Sequence, residues 1–241
     1  MEQIKSEEHA RYLLCERRSI YLLLMSAAGM MGAYTFTLRG GAFCNAQTAN
    51  IVLMSIALGE GRWQDALYFL IPISAYFMGA FISEALPSPV KKKGFLRWDT
   101  WLIAIELLTL LFIGFLPLTV PHQVVQVIIN FIASMQYNTF RQSEGIPMAT
   151  TFCTNHVRQL GIAAAKAVRK HDPSSRPRSK AHFKMLLSFL VSGAILSFAG
   201  QYLKERAIWL ALIPLFIALV NLIHADLTVE HDELLRKPSG H

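Results

Sequence analysis

Two short polar segments interrupt the apolar stretches of this sequence, and they contain most of the side chains that could bind a solute. The first leads into an apolar run at Thr48, and the second into one at Thr154. Thr and Asn are good helix N-caps, and the open amides at the start of a half-helix also bind substrates. The two interpretations are compatible. The candidate substrate-binding residues here are Asn45, Gln47, Thr48, Asn50, Thr150, Thr151, Thr154 and Asn155.

Three further polar side chains lie inside apolar runs. Gln136 and Asn138 lie just ahead of the second polar segment. Such side chains either join neighbouring helices or contact a substrate, and we include both residues among the substrate-binding candidates. Glu106 is a carboxylate deep in an apolar run, where it must face the interior, pair with another group, or be protonated. Glu106 therefore has two alternative roles: it couples transport to protons, or it is a structural acid paired with another group.

Signatures of enzymes and of metal or cofactor sites are missing from the sequence. It has no Walker loop, GxGxxG, HExxH or GxSxG motif. Cys15, Cys44 and Cys153 are isolated and lack metal-ligand spacing. Cys44 and Cys153 lie one in each polar segment, so a disulfide between them is the alternative to free thiols. We expect no catalytic reaction, no cofactor and no metal.

The two polar segments belong to an internal duplication. Ala28–Met31 reappears as Ala133–Gln136 at a spacing of 105 residues. Thr48–Asn50 reappears as Thr154–His156 at a spacing of 106 residues. Internal duplication with polar breaks at membrane depth is typical of secondary transporters and channels.

Long uncharged stretches predict membrane-spanning helices. Hydrophobic residues make up 53% of the chain and charged residues 16%, against about a quarter charged in soluble domains. A spanning helix needs about 20 residues. A soluble all-α protein with so many apolar runs would have too little polar surface. The six predicted spans are Ser19–Leu38, Ala66–Ser83, Thr100–Val120, Pro121–Phe140, Met185–Leu203 and Ala207–Ile223.

The net charge of +7 comes from basic clusters that flank these runs. One cluster precedes the first span, one is Lys91–Lys93 with Arg97, and one extends from Lys166 to Lys184. Cytoplasmic loops of membrane proteins carry such an excess of Lys and Arg. No aromatic interleaving accompanies the clusters, so nucleic-acid binding is not expected.

Two apolar segments, Thr48–Gly59 and Asn155–Val168, are too short to cross a bilayer. If both crossed, the Lys91–Lys93 loop would lie opposite the basic N-terminus, whereas if neither crosses, all three basic clusters share one side. The sequence therefore predicts an all-α integral membrane protein with six transmembrane helices and two re-entrant half-helices in an inverted 3+3 repeat. The predicted divisions are a cytoplasmic segment 1–18, repeats at 19–120 and 121–224, and a cytoplasmic tail 225–241, with a flexible loop from Lys170 to Lys184.

The repeated motifs also resemble a known family. Gly29–Phe36, Gly40–Phe43 and Gln47–Asn50 resemble the first repeat of the YoaK-like family of uncharacterised, mainly bacterial, multi-pass membrane proteins. Met135–Asn138 and Thr150–His156 resemble its second repeat. The resemblance implies an integral protein of the plasma membrane and brings no substrate with it.

The sequence departs from this family pattern at four positions. Gly32 stands where the family usually has Asp, Ala49 and Asn155 replace motif glycines, and Tyr137 replaces Asn. The change at Gly32 removes an intramembrane acid, which bears on any ion coupling in the family.

We therefore expect a small-solute transporter or channel in the plasma membrane, with both termini cytoplasmic. Its expected partners are the lipid bilayer and a small-molecule solute, and its oligomeric state is left open. The alternative is a non-transporting membrane scaffold or accessory subunit, whose repeats only pack helices together.

Overall fold

The computed structural model describes residues 12–86, 94–170 and 175–238, and the described chain is almost entirely helical. A small antiparallel hairpin is formed by β1 (Gln142–Ser143) and β2 (Ile146–Pro147). The predicted all-α class is confirmed. The α-helices are α1 (Arg18–Leu38), α2 (Gln47–Gly59), α3 (Trp63–Ala85), α4 (Trp98–Ile113), α5 (His122–Thr139), α6 (Thr154–Lys170), α7 (Ser175–Leu203) and α8 (Leu212–Leu227), and the 3-10 segments are Leu14–Glu16, Lys204–Ala211 and His231–Glu233.

The predicted span Thr100–Val120 extends beyond the C-terminal end of the observed helix α4. Helix α4 stops at Ile113 and turns follow. Gly114 packs so closely on the Trp209 indole that a Cβ atom there would overlap the ring. Pro117, three residues later, cannot donate a backbone hydrogen bond to continue the helix. The end of α4 is therefore set by a contact with a distant part of the chain.

The prediction of a flexible loop from Lys170 to Lys184 is also wrong for the second half of that range. Helix α7 begins at Ser175 and runs through Lys184 without interruption. Pro177 lies in its first turn, where a missing backbone N–H costs little. The rest of that loop, residues 171–174, lies outside the described residues, as do residues 1–11, the Lys91–Lys93 cluster and residues 239–241.

Three helical stretches among the described residues are long and apolar enough to cross a membrane by length and composition. They are Arg18–Leu38, Trp63–Ala85 and the 52-residue stretch Arg176–Leu227, and the last contains both α7 and α8. The outward faces of these helices expose large apolar side chains, including Phe81 on α3 and Leu190 on α7. Such a surface suits lipid rather than water. The chain is a helical membrane protein by these criteria, and the count of six spans remains a prediction.

The α-helices pack in pairs. Helix α1 packs along α7, and α3 packs along α5. The short helix α2 lies on α3, and α6 lies on α7. Helix α4 packs on α8, with further contacts of α1 with α8 and of α4 with α5.

Small residues allow the two longest pairs to cross closely. A Cβ atom added to Gly29 of α1 would overlap the Phe189 carbonyl and the Ser192 hydroxyl of α7. A Cβ atom added to Gly79 of α3 would overlap the Phe131 carbonyl of α5. Small residues at such interfaces bring backbones together and increase van der Waals contact between membrane helices.

The near end of the bundle, defined here as the end where α1 begins, holds a buried ionic cluster. The side chain of Arg97 is only 4% exposed, and its Nε lies 3.2 Å from Asp226 Oδ1. Asp226 Oδ2 accepts hydrogen bonds from the Arg97 backbone N–H at 3.0 Å and from the Thr100 hydroxyl at 2.6 Å. Glu230 lies 3.4 Å from the Arg97 guanidinium and accepts from the Leu14 N–H at 2.7 Å. The cluster joins the start of α4 to the end of α8.

Two groups at the near end, both outside the spanning helices, titrate abnormally. Burial raises the pKa of Glu230, while the Leu14 N–H and Arg97 act in the opposite direction. Burial also raises the pKa of the Cys15 thiol well above its usual value. All three cysteines, including Cys44 and Cys153, are free thiols. A disulfide between Cys44 and Cys153 is therefore absent.

The far end, where α1 finishes, is held by Arg39. Its side chain is fully buried. The guanidinium donates to the carbonyl oxygens of Leu116 and Pro117, the latter at 3.0 Å, and its Nε donates to the Tyr34 hydroxyl at 3.0 Å. Arg39 therefore ties the end of α1 to the turn that follows α4.

We expect Gly79→Leu to destabilise the protein by about 1–3 kcal/mol, because the new side chain must push α3 away from α5. Thermal unfolding in detergent measures the change. Gly161→Leu is the matched control, since Gly161 lies in a helix and has open space around its Cβ position. Equal unfolding temperatures for the two variants would contradict the close crossing.

Asp226→Asn should cost about 3–5 kcal/mol, because it leaves the buried Arg97 without its carboxylate partner. The exposed ion pair of Arg62 with Asp65 provides the control, and Asp65→Asn should change stability by less than about 1 kcal/mol. The comparison uses the same unfolding assay at neutral pH. A near-neutral effect of Asp226→Asn would show that the cluster does not hold α4 and α8 together.

Candidate functional site

The first polar segment enters the interior between α1 and α2. It leaves α1 through Gly40 and Gly41, whose φ angles of 82° and 75° suit glycine. Asn50 then bonds both backbone groups of Phe43: its Oδ1 accepts from the N–H at 3.0 Å, and its Nδ2 donates to the carbonyl at 2.7 Å. Asn45 donates to the Ala28 carbonyl, halfway along α1, at 3.2 Å. This non-helical backbone is therefore satisfied by amide side chains.

The position of Gly32 follows from the same packing. A Cβ atom there would lie 2.9 Å from the Asn45 side-chain nitrogen. The Asn45 carboxamide thus occupies the space beside α1 that a longer side chain at position 32 would need. An Asp at this position would force Asn45 to move.

A chain of hydrogen bonds runs from this first segment into α5. Asn50 Nδ2 also donates to Gln47 Oε1 at 3.1 Å, and Gln47 Nε2 donates to Asn130 Oδ1 at 2.7 Å. Asn130 Nδ2 donates to the Gln126 carbonyl at 2.8 Å. The Gln126 side chain donates in turn to the carbonyl of Arg39. The network connects the middle of the bundle with the far end.

The second polar segment enters from the end of α5 through the β1–β2 hairpin. Glu144 and Gly145 form its turn with φ angles of 47° and 75°. His156 Nε2 donates to the Ala149 carbonyl at 2.7 Å, so its Nδ1 accepts from His182 Nδ1 at 2.9 Å. In the duplicated alignment His156 matches Asn50 and Ala149 matches Phe43. One side chain in each repeat thus bonds the backbone at the equivalent position of its own polar segment.

Aromatic packing joins the second polar segment to α5. The rings of Phe152 and Tyr137 lie 4.8 Å apart. The buried Thr151 hydroxyl of this segment has no hydrogen-bond partner among the described residues.

Some buried polar atoms around this region have no hydrogen-bond partner among the described residues. Both carboxylate oxygens of Glu106 are in this group, and Glu106 lies within electrostatic range of Cys44. Gln136 Oε1 and the Thr150 hydroxyl belong to it as well. Gln136 Nε2 makes a long 3.5 Å contact with the Leu24 carbonyl. Uncompensated polar atoms at such depth are costly in a static structure and are often functional.

The remaining predicted site residues lie in other environments. Thr48 and Thr154 are exposed at the starts of α2 and α6. Asn155 accepts a hydrogen bond from Arg158 at 3.1 Å. Asn138 donates to Ser83 and Glu84 at the near end. A single cavity lined by Thr48, Asn50, Gln136, Thr154 and Asn155 stays a prediction.

Sequence reasoning missed the polar stripe of α5. His122, Gln126, Asn130, Ser134 and Asn138 follow one another at intervals of four residues, so they share one side of the helix. The spacing was the available signal, and it predicts a helix face that contacts polar groups rather than lipid. Among the described residues, no three His, Cys, Asp or Glu side chains cluster in a way that could hold a metal ion.

Comparison with known proteins identifies a family for the chain and leaves its activity open. A model of the family described as "Protein of unknown function (DUF1275)" matches residues 20–221. No curated protein and no solved structure matches the chain. The match covers every α-helix of the bundle core, from α1 to most of α8, so the chain belongs to this DUF1275 family of proteins of unknown function.

Proposed function

We propose that the protein is a secondary transporter, or alternatively a channel, for a small polar solute. It has six membrane-spanning helices and two re-entrant half-helices in an inverted 3+3 repeat. The observation that carries the proposal is that both polar segments reach the buried interior: Asn45 of the first bonds the Ala28 carbonyl halfway along α1, and the Thr150 and Thr151 hydroxyls of the second are buried without a partner among the described residues. The proposed function involves no chemical conversion of the solute.

The helix contacts support the repeat. Exchanging the two copies exchanges α1 with α5, α2 with α6, α3 with α7, and α4 with α8. The pair α1–α7 then becomes α5–α3, and α2–α3 becomes α6–α7. The pair α4–α8 maps onto itself, and α1–α8 becomes α5–α4. A pseudo-two-fold axis between repeats produces this correspondence.

Contacts at the near end of the bundle support the inversion of one repeat relative to the other. At the near end, Arg18 at the start of α1 pairs with Glu144, just beyond the end of α5, at 2.7 Å. The Tyr21 hydroxyl donates to the Gln142 carbonyl at 2.7 Å in the same region. Since equivalent helices α1 and α5 run in opposite directions, one copy is upside down relative to the other.

Inversion also explains how each polar segment returns to the side from which it entered. The first leaves the far end at Arg39 and reaches the middle of α1 at Ala28, and α2 then returns towards the start of α3. The second leaves the near end after α5 and reaches the buried Ala149, which His156 bonds, and α6 then returns towards the start of α7. Non-helical backbone is tolerated at this depth where protein or a water-filled cavity satisfies it.

The distribution of Lys and Arg gives the orientation. The near end holds Arg18, Arg97 and the basic first turns of α7. Basic residues accumulate on the cytoplasmic side, which supports a cytoplasmic near end with both termini on that side. The family resemblance implies that the membrane is the plasma membrane. The re-entrant helix α2 then enters from outside, and α6 enters from the cytoplasm.

The chemistry of the interior limits the solute to a class. Gln136, Thr150 and the amide network offer neutral hydrogen-bonding groups. Neutral donors and acceptors suit a small polar solute. Glu106 is a fully buried acid whose carboxylate has no partner among the described residues. It couples transport to protons by gaining and losing one during the cycle.

A membrane scaffold is the second candidate function, and one observation favours it. Asn45, Gln47 and Asn50 are bonded to protein groups, as expected where polar side chains only hold helices together. Under this alternative the duplicated segments are structural, and the exposed apolar faces bind a partner subunit.

We expect Thr150→Val to reduce solute uptake by about fivefold or more while leaving the unfolding temperature unchanged, because its hydroxyl has no hydrogen-bond partner among the described residues. Glu106→Gln should abolish the dependence of uptake on a proton gradient. Metabolite profiling of expressing cells identifies the solute, and uptake into proteoliposomes measures the rate. Thr109→Val, on an exposed helix face, is the matched control. Unaltered uptake in every variant would support the scaffold.

Topology is tested with single cysteines at Lys92, Pro121 and Arg176 in a variant without Cys15, Cys44 and Cys153. An impermeant thiol reagent added outside intact cells should label only position 121. Positions 92 and 176 should react only after permeabilisation, which also controls for expression. Labelling of either from outside overturns the six-span scheme.

A further inference from the structure

We propose that the protein binds one anionic phospholipid at its near end. The headgroup phosphate occupies a basic cavity between α1 and α7, and an acyl chain occupies an apolar groove that continues from it. This inference goes beyond the proposed transport function and does not depend on it.

The basic cavity has a volume of about 270 Å³. It lies between the start of α1 and the first turns of α7. Its charged lining consists of Arg18, Arg176, Lys180 and Lys184, and its apolar lining includes Leu22 and Met185. Two helices therefore contribute basic side chains to one half-open cavity, which differs from a row of lysines along a single solvated helix face.

The positive charge of this cavity is only partly compensated. Arg18 pairs with Glu144 at 2.7 Å. Within the ranges that the structure describes, Arg176, Lys180 and Lys184 have no ion-pair partner. Three basic side chains around one cavity create a positive potential that favours an anion. A phosphate diester carries one negative charge and oxygen acceptors suited to Arg and Lys.

An apolar groove of about 790 Å³ begins where the cavity ends. Leu22 and Lys184 line both spaces, so the two are continuous. The groove runs between α1, α7 and α8, and it ends beyond the middle of the bundle at residues such as Ile195 and Ile213. Val191 and Ile213 are each about half exposed on its surface, so the groove opens towards lipid.

The serine hydroxyls within the groove are already satisfied by hydrogen bonds within the protein. Ser26 and Ser188 lie 2.6 Å apart, and both hydroxyls donate to the Leu22 carbonyl or to each other. Ser192 donates to the Phe189 carbonyl at 3.1 Å. The serines therefore place no hydrogen-bonding demand on an occupant, and a hydrocarbon chain meets an effectively apolar surface.

A basic cavity beside an apolar groove favours a whole anionic phospholipid over free phosphate or a neutral lipid. Free phosphate would use the cavity and leave the groove open, and a neutral lipid would leave the basic side chains uncompensated. Basic pockets between membrane helices at the cytoplasmic surface bind anionic headgroups. An anionic phospholipid is the occupant that satisfies the charge and the apolar surface together.

Native mass spectrometry of the delipidated full-length protein tests this proposal with defined lipids. Dioleoyl phosphatidylglycerol should bind about tenfold more tightly than dioleoyl phosphatidylcholine. The double variant Arg176→Gln/Lys180→Gln should lose about tenfold in phosphatidylglycerol affinity, because each basic residue near an anionic headgroup contributes appreciably. Lys166→Gln/Arg169→Gln removes the same charge from exposed positions on α6 and should retain the parent affinity. Unfolding temperatures confirm that each variant is folded.

Two further probes separate the parts of the site. Dihexanoyl phosphatidylglycerol, whose chains are too short to follow the groove, should bind more weakly than the dioleoyl lipid. Millimolar inorganic phosphate should not displace the dioleoyl lipid. Equal binding of both chain lengths, displacement by phosphate, equal binding of phosphatidylcholine, or equal losses in the two double variants would each overturn the proposal.

Discussion

The structure depends on satisfying non-helical backbone in the middle of an apolar bundle. A buried N–H or C=O without a partner costs several kcal/mol where water is excluded. In the first polar segment, Asn50 bonds both backbone groups of Phe43. In the second, His156 bonds the carbonyl of Ala149. Amide and imidazole are different groups, but each supplies a fixed donor at the equivalent position, so each segment keeps a non-helical conformation in the interior.

Close helix crossings determine where those two segments lie. Gly29 lets α1 touch the backbone of α7, and Gly79 lets α3 touch the backbone of α5. Lipid supplies no strong hydrophobic force between helices, so van der Waals packing at small residues gives such contacts their strength. With α1–α7 and α3–α5 in contact, the first polar segment lies beside Ala28 of α1. The same α1–α7 crossing forms the floor of the groove that begins at Leu22.

Buried polar groups join the helices at both ends of the bundle. At the far end, the buried guanidinium of Arg39 is bonded to Leu116, Pro117 and Tyr34. At the near end, Arg97 and Asp226 form part of a larger ionic cluster. In the interior, Glu106 and Thr150 keep polar atoms without a partner among the described residues. Under the proposed transport function, these atoms exchange partners with water and solute while the ends hold the helices together.

The sequence by itself determined the helical class, the approximate extents of α1, α3 and α5, and the two polar segments, because these follow from local apolar runs and an internal match. It also identified Asn45, Asn50 and Gln136 as buried polar candidates. Only the tertiary structure showed that α4 ends at Ile113, where Gly114 packs directly against the indole of Trp209 from a distant 3-10 segment. It alone paired Asn130 with Gln47 and His156 with His182, and it brought the basic turns of α7 beside Arg18. Periodicity and composition describe each segment alone, whereas these contacts arise from the packing of segments far apart in the chain.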